Sequence, residues 1–425
     1  MRVIIVHQFF YPDHSAVSQL MTDLAESLVE RGVTVTAIAG RGTYNGGARL
    51  SRRAEHEGIS IERAWTTSFG KRSLRGRLCD YLSFYVGAAW KLMRVPRHDI
   101  VLVLTQPPLI GLIGLVVGRL RRMRVVALIQ DVYPDVAVPV GAVQPDSFST
   151  QFLDWLNRRS LQATDRIIVL SECMHARIKP KIGAERAGRI DVIHNWADGR
   201  AIYPRAEDEK NQFSNEHGLQ SRFVVMFSGN LGVVNEFRTV LEAAKILRVR
   251  AEIVFVFIGD GVRAGEIRRF IGERRLENVL MLPYQPRDEL RQSLIAGDAH
   301  LVTLAEGLAG LSVPSKTYAI LAAGRPILFV GDANSSIAKL VDQNNCGATV
   351  STGDSKKLAN VISEWAERPE LTKELGANAR ALFDAAFERQ RAVTAYQKSF
   401  DRCLQPESEE SGLAQTESQP VHLKP

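Results

Sequence analysis

Three short glycine- and serine-bearing segments in the second half of this chain have the residue types that hold an anion. Phe227-Ser228-Gly229-Asn230-Leu231-Gly232 follows an apolar run and precedes a helical pattern. Glycines at a strand-to-helix turn let backbone N–H groups approach an anion, and the following helix start favours negative charge. Gly259-Asp260-Gly261 follows the apolar run Ile253–Ile258 and is placed on the same sheet edge; alone it is ordinary turn chemistry. Ser315-Lys316-Thr317 opens a third helical pattern, with Ser315 as its N-cap. A lysine in a first turn opposes the helix dipole, so it suits a phosphate better than it suits the helix. Each segment also has a plainer reading, as a tight turn or an exposed lysine without a ligand.

The elements that must position these segments are parallel strands joined by helices. In the first half, strands are expected at Val3–His7, Val33–Ala39, Ile100–Leu104, Arg124–Ile129 and Arg166–Val169, with a short strand at 192–193. Ile100–Val117 is apolar enough to suggest a membrane span, but Pro107 and Pro108 break it, and strand, turn and helix account for it. Tyr203–Gln220 is polar and reads as a linker and the entry to a second domain. The pattern then restarts with strands at Phe223–Phe227, Ile253–Ile258, Val279–Leu282, Ala299–Leu304 and Ile327–Phe329, and a helix from Val234 to Val249. The expected architecture is α/β: two Rossmann-like doubly wound domains facing across a cleft. They comprise 1–200, completed by a returning helix at about 388–403, and 201–387, with a disordered tail at 405–425.

Composition narrows the function classes. The four cysteines, Cys79, Cys173, Cys346 and Cys403, form no paired motif, which fits a reducing compartment and disfavours a zinc site. The chain's start, Met1-Arg2-Val3-Ile4-Ile5-Val6, reads as a buried strand and not as a secretion signal. The net charge of +7 is uneven. Residues 1–200 hold roughly 27 basic and 18 acidic side chains, many of the basic ones between Arg49 and Arg124, Lys71, Arg72, Arg75, Arg77, Lys91, Arg94 and Arg97 among them. Such a face is either simply solvated or meets anionic lipid, with salt-sensitive binding to anionic vesicles. It lacks the interleaved aromatics of a nucleic-acid module, so no nucleic-acid partner is expected. There is no GxGxxG after the first strand, no GxxxxGK[ST] and no GxSxG, which argues against dinucleotide, P-loop and α/β-hydrolase chemistry.

Ser-Gly-Asn-Leu-Gly at 228–232, Asn-Trp-Ala-Asp at 195–198 and Pro-Ser-Lys with Ile-Leu-Ala-Ala-Gly at 314–324, taken in that combination, resemble family 4 glycosyltransferases of GT-B fold. The likeness is greatest to the enzymes of O-antigen, colanic acid and related exopolysaccharide assembly, and spans roughly residues 1–400. The resemblance implies a retaining, metal-independent transferase without a cofactor. Its substrate would be a UDP-linked nucleotide-sugar carrying an N-acetylated hexosamine or deoxyhexosamine. The partners implied are a polyprenyl-diphosphate-linked saccharide acceptor and an anionic membrane, with the protein cytoplasmic and peripheral on the inner face of the plasma membrane. It further implies that Ser228, Gly229, Asn230, Gly259, Asp260, Ser315, Lys316 and Thr317 surround the donor, with Lys316 catalytic. Asp131 matches the family's His-Asp position and would orient the acceptor or take its proton, beside Gln130 and Ser15.

Several positions depart from the family pattern. Leu311 and Ala319 stand where two glutamates are usual, and Glu306 has the wrong spacing to replace one. Asn230 with Val234 or Asn235 replaces an arginine and a lysine, Gln130 replaces a histidine, and His14-Ser15-Ala16 replaces Gly-Gly. Two rivals stay open: a nucleotide-sugar epimerase, which uses the same twin-domain architecture, and, because the glutamates are missing, a noncatalytic member of an assembly complex.

Overall fold

The computed structural model describes residues 1–44, 46, 49–67, 69, 74–206 and 209–405. Lys71 and Arg72 of the basic stretch, and the tail from 406 onward, lie outside the described residues. The chain divides into two compact units, the first formed by 1–138, 143–195 and the C-terminal segment beginning at Arg389, the second by 139–142 and Trp196–Glu388. The main division falls at Asn195/Trp196, a few residues before the expected 200.

The first unit is built on β1 (Arg2–Val6), β2 (Thr34–Gly40), β3 (Arg53–His56), β4 (Ile59–Ala64), β5 (Ile100–Leu104), β6 (Arg124–Ile129), β7 (Arg166–Val169) and β8 (Ile190–Val192). They form one sheet in the order β3-β4-β2-β1-β5-β6-β7-β8, parallel except for the β3–β4 pair. Strands β1, β5 and β6 are almost continuously apolar because helices cover both faces of a parallel sheet. The order in which the chain adds strands reverses at β1/β5, the switch point where doubly wound folds bind ligands.

The expected C-terminal helix, Arg389–Leu404, belongs to this first unit. It buries Val393, Tyr396 and Phe400. Arg389 donates to Ser27 Oγ and Glu26, and Ser399 donates to the carboxylate of Asp191, which also receives Arg166 through two nitrogens.

The second unit contains β9 (Phe223–Ser228), β10 (Ile253–Ile258), β11 (Val279–Leu282), β12 (Ala299–Thr303), β13 (Ile327–Val330) and β14 (Gly347–Val350), all parallel in the order β11-β10-β9-β12-β13-β14. Renumbered from its own first strand, this is the 3-2-1-4-5-6 order of a dinucleotide-binding sheet, with its switch point between β9 and β12. Phe227, Phe237 and Phe257 pack edge-on or tilted at 5.0–6.1 Å beneath the β9 end and hold that strand tip in place.

Two expectations need correction here. The helix after β9 begins at Arg238 and not at Val234. Residues 234–235 brace the preceding loop instead: Val234 C=O accepts the Ala305 N–H, and Asn235 Nδ2 donates to Asn230 O at 3.0 Å. Tyr203–Gln220 does enter the second unit, as expected, but as a packed part of it and not as a free linker. Phe213 and Leu219 are buried against the second sheet, and Glu209 takes a two-pronged ion pair from Arg291 at 2.5 and 2.7 Å. The Arg291 guanidinium also lies 3.6 Å from the centroid of the Tyr203 ring.

Arg291 holds the Glu209 carboxyl at about 2, below its ordinary 4.5. A depressed carboxylate stabilises the fold above its unfolded value, and the contribution disappears as pH falls through its folded value. Arg291→Met is therefore expected to lower stability by about 2 kcal/mol near neutral pH. Urea denaturation should show that deficit shrinking as pH drops toward 2. A deficit that stays constant with pH would mean that lost packing, and not the ion pair, causes it.

Candidate functional site

The two glycine loops of the second unit lie against each other at the C-terminal edge of its sheet. The N–H of Gly229 donates to Ile258 O and that of Leu231 to Asp260 O, both at 2.9 Å. Gly259 has φ +135°, and a β-carbon there would fall 2.1 Å from Gly229 O, so only glycine permits this approach. Tyr284 Oη donates to Asp260 O at 3.1 Å. These bonds correct one expectation, since the amides of Gly229 and Leu231 serve the neighbouring loop and do not face a ligand. Asn230 and Asp260 keep exposed side chains, and Ser228 is half-buried at the tip of β9.

Lys316 comes to the same place from the crossover between β12 and β13, at the start of the helix Lys316–Ala322. Its Nζ sits 3.1 Å from the centroid of the Phe227 ring. A β-carbon on Gly229, whose φ is also +135°, would lie 3.2 Å from that Nζ, so the missing side chain leaves room for the ammonium. Part of the Lys316 stem meets solvent, but Nζ is enclosed and has no hydrogen-bond acceptor in the protein. Burial pushes its pKa well below the ordinary 10.5. A cation over a desolvated ring gains about 2 kcal/mol, while desolvating an ammonium costs several, so Phe227 alone does not compensate the charge. An anionic group beside Gly229 would.

The flanking residues behave differently from expectation. Ser315 occupies the N-cap position but makes no side-chain cap bond. Its φ of −65° and ψ of −24° are already helical, which swings the hydroxyl away from the first-turn amides. Thr317 is fully buried, and its hydroxyl donates back to Pro314 O at 2.8 Å, so it packs inside the unit and does not line the loop surface. Glu306 is exposed, and Leu311 is buried in its unit.

In the first unit, Gln130 and Asp131 follow β6, and both backbone N–H groups point at Thr105 Oγ1 at 3.2 and 3.4 Å. Gln106 Nε2, at the end of β5, donates to Asp131 Oδ2 at 3.2 Å. Gln130 is buried, and its Nε2 has no partner. Ser15 precedes the helix Ala16–Glu30; its N–H donates to Asp13 Oδ1 at 2.8 Å, while its Oγ is enclosed and unpartnered.

His7 was not among the sequence-derived candidates. It follows β1, is 1% exposed, and binds Phe9 O through Nδ1 at 2.6 Å while Nε2 is enclosed without a partner. Burial lowers its pKa to about 4, so the imidazole is neutral near neutral pH. Its place directly after the first buried strand was the signal that would have found it. The first unit therefore carries enclosed, unpartnered polar atoms on His7 after β1, on Ser15 ahead of its first helix and on Gln130, next to Asp131 after β6, groups suited to hydroxyls or phosphate oxygens.

Comparison with known proteins follows the same division. A model described as a glycosyl transferase 4-like domain matches residues 15–196, and one described as glycosyl transferases group 1 matches 207–382. The probable glycosyltransferase WbjE of Pseudomonas aeruginosa is 28% identical over 320 residues, covering 75% of this chain and 78% of that protein. The putative colanic acid biosynthesis glycosyl transferase WcaI of Escherichia coli is 26% identical over 229 residues, 53% of this chain and 55% of that one. Among solved structures, sucrose-phosphate synthase of Thermosynechococcus elongatus superposes with a TM-score of 0.76 at 15% identity, over 95% of this chain and 98% of that one. Anabaena HepE in complex with UDP gives 0.72 at 16%, over 94% and 100%. Such low identities speak to the fold alone, and that fold is GT-B. With both models matched in order along most of its length, this chain belongs to the 4-like and group 1 glycosyltransferases.

Proposed function

We propose that this glycosyltransferase moves an N-acetylated hexosamine or deoxyhexosamine unit from a UDP-sugar to a saccharide carried on polyprenyl diphosphate, with retention, in surface polysaccharide assembly. The observation that carries this reading is the enclosed Lys316 ammonium, which has no acceptor in the protein and lies against the bare Cα of Gly229 at a switch point. A diphosphate fits that need by charge, and HepE, of the same fold, has been crystallised with UDP. The likeness to WcaI, described as a putative colanic acid biosynthesis glycosyl transferase, supports the polysaccharide context.

In the proposed step, the bond between the anomeric carbon and the diphosphate oxygen breaks. The acceptor hydroxyl oxygen bonds to that carbon on the same face. Lys316, flanked by Ser228, Asn230 and Asp260, stabilises the charge that grows on the leaving diphosphate, and the transfer needs no resident metal or cofactor. The hydroxyl proton passes to the departing phosphate or to Asp131, with Ser15 and Gln130 orienting the acceptor. The enzyme works on the cytoplasmic side of the membrane that holds its acceptor.

Calorimetric titration with UDP, GDP and ADP in chelator tests the donor assignment. UDP is expected to bind selectively. Equal binding of all three would remove the uridine assignment. Absence of binding would remove the donor site and leave the noncatalytic reading in its place.

A further inference from the structure

We propose that the outer faces of three adjoining first-unit helices form a bilayer-docking surface that inserts apolar side chains between anionic lipid headgroups. The choice of a lipid surface as the partner rests on the lipid-linked acceptor proposed above.

The helix Leu74–Arg94 carries Leu78, Leu82, Val86 and Trp90 at four-residue intervals, all more than half exposed, with Val86 at 72%. Residues four apart share one helix face, so this is a continuous apolar stripe turned to solvent over three turns. Its covered side packs against β4 and β2, and the helix adjoins Ile110–Leu120, which adjoins Phe148–Ala163. Both neighbours continue the pattern. Val116 and Leu120 are exposed on one, and Phe148, Phe152 and Trp155 form a stacked aromatic row on the other. Together the three helices hold ten of the twenty large apolar residues exposed among the described residues, which marks this face off from scattered surface hydrophobes.

The charges around the stripe choose the occupant. Arg75 and Arg77 stand at one end of the first helix, Arg94 and Arg97 at the other, and Arg122 and Arg159 border the neighbouring helices. None of these six has a carboxylate partner among the described residues. Acidic side chains here are fewer: Asp80 is half-buried and accepts from Thr67, Asp154 pairs with Arg158 and Lys181, and Asp146 is exposed ahead of Phe148. A second copy of the chain packed symmetrically here would therefore set a mainly basic rim against itself. Anionic headgroups neutralise it while the acyl region receives the apolar centre. Trp90 lies under Arg94 at 4.0 Å and Trp155 near Arg159 at 5.8 Å, pairing amphipathic rings with cations that reach toward headgroups. No described helix is long and apolar enough to cross a membrane, so the contact is interfacial.

The test is co-sedimentation of the full chain with phosphatidylcholine vesicles, with and without about a third phosphatidylglycerol, at low and high salt, alongside tryptophan emission. The expected result is binding to the anionic vesicles that high salt weakens but does not abolish, with a blue shift from the exposed Trp90 and Trp155. The double variant Val86→Asp/Phe152→Asp alters only exposed positions and is expected to lose roughly tenfold in vesicle affinity. Its circular dichroism and UDP titration are expected to match wild type. Unchanged vesicle binding by the variant, or no blue shift in wild type, overturns the proposal. So does a wild-type dimer that the variant converts to monomer without vesicle binding, which would assign the face to a second copy. Failure of UDP to bind, with the vesicle results intact, would sink the donor reading and leave this surface standing.

Discussion

Replacing Lys316 with methionine is expected to lower sugar transfer at least about tenfold, or about 1.4 kcal/mol in barrier, while making the nucleotide-free protein more stable. The two effects share one cause. In the nucleotide-free protein the ammonium is enclosed, unpaired by any acceptor and compensated only by the Phe227 ring. Methionine, one heavy atom shorter, keeps most of the length and an apolar contact with the ring, and removes the charge that burial penalises. In the proposed transfer, that same charge would meet the leaving diphosphate.

A pH signature separates this from simple repacking. The folded chain holds the Lys316 proton less tightly than the unfolded chain, so stability rises with pH from the depressed folded value up to 10.5. Lys316→Met should flatten that rise in urea denaturation while weakening UDP in calorimetry. A variant with wild-type turnover and wild-type UDP affinity would end the assignment of Lys316 to the donor.

The second large effect is expected from Gly259→Ala. The added methyl would stand 2.1 Å from the carbonyl oxygen of Gly229 and 3.0 Å from its carbon, both backbone atoms that no rotamer change moves aside. The backbone is also in the left-handed region, with φ +135°. Backbone strain of about 1–3 kcal/mol adds to the cost of separating the two loops. The variant is expected to lose more than about 3 kcal/mol, a large share of the stability of an ordinary domain. Nucleotide binding should go with it, because the displaced strand tip carries both Phe227 and Gly229. Gly265→Ala is the control: it lies in the helix Ala264–Arg274 with nothing within 4 Å of a new β-carbon, and should be neutral or slightly stabilising. Urea denaturation of the pair gives the comparison, and equal midpoints would show that the loop contact does not matter to the fold.

The parallel core was legible because its strands are short apolar runs bounded by turn residues. Ile100–Leu104, Arg124–Ile129, Arg166–Val169, Ile253–Ile258 and Val279–Leu282 fall where periodicity places them. The strands that escaped, Arg53–His56, Ile59–Ala64 and Gly347–Val350, lie toward the sheet edges, where fewer neighbours demand apolar side chains and polar residues blur the pattern. The glycine loops were legible for a similar reason. A left-handed turn at a strand end restricts the residue type locally, so it leaves a mark in the sequence.

What local sequence does not contain is the direction in which a side chain is finally turned. Ser315, Lys316 and Thr317 are adjacent and looked alike as donor ligands. Packing sends the Thr317 hydroxyl back to Pro314, denies Ser315 a cap, and lays Lys316 across Phe227, a residue 89 positions earlier. The Leu78–Trp90 stripe repeats every four residues just as a buried helix face does, and only the sheet beneath it decides that this face is outside. Sequence by itself determined the two α/β units, the strand ends and the glycine turns, because each depends on a few neighbouring residues. Tertiary structure alone decided which polar atoms are left without partners and which apolar face meets solvent, because both depend on residues far apart in the chain.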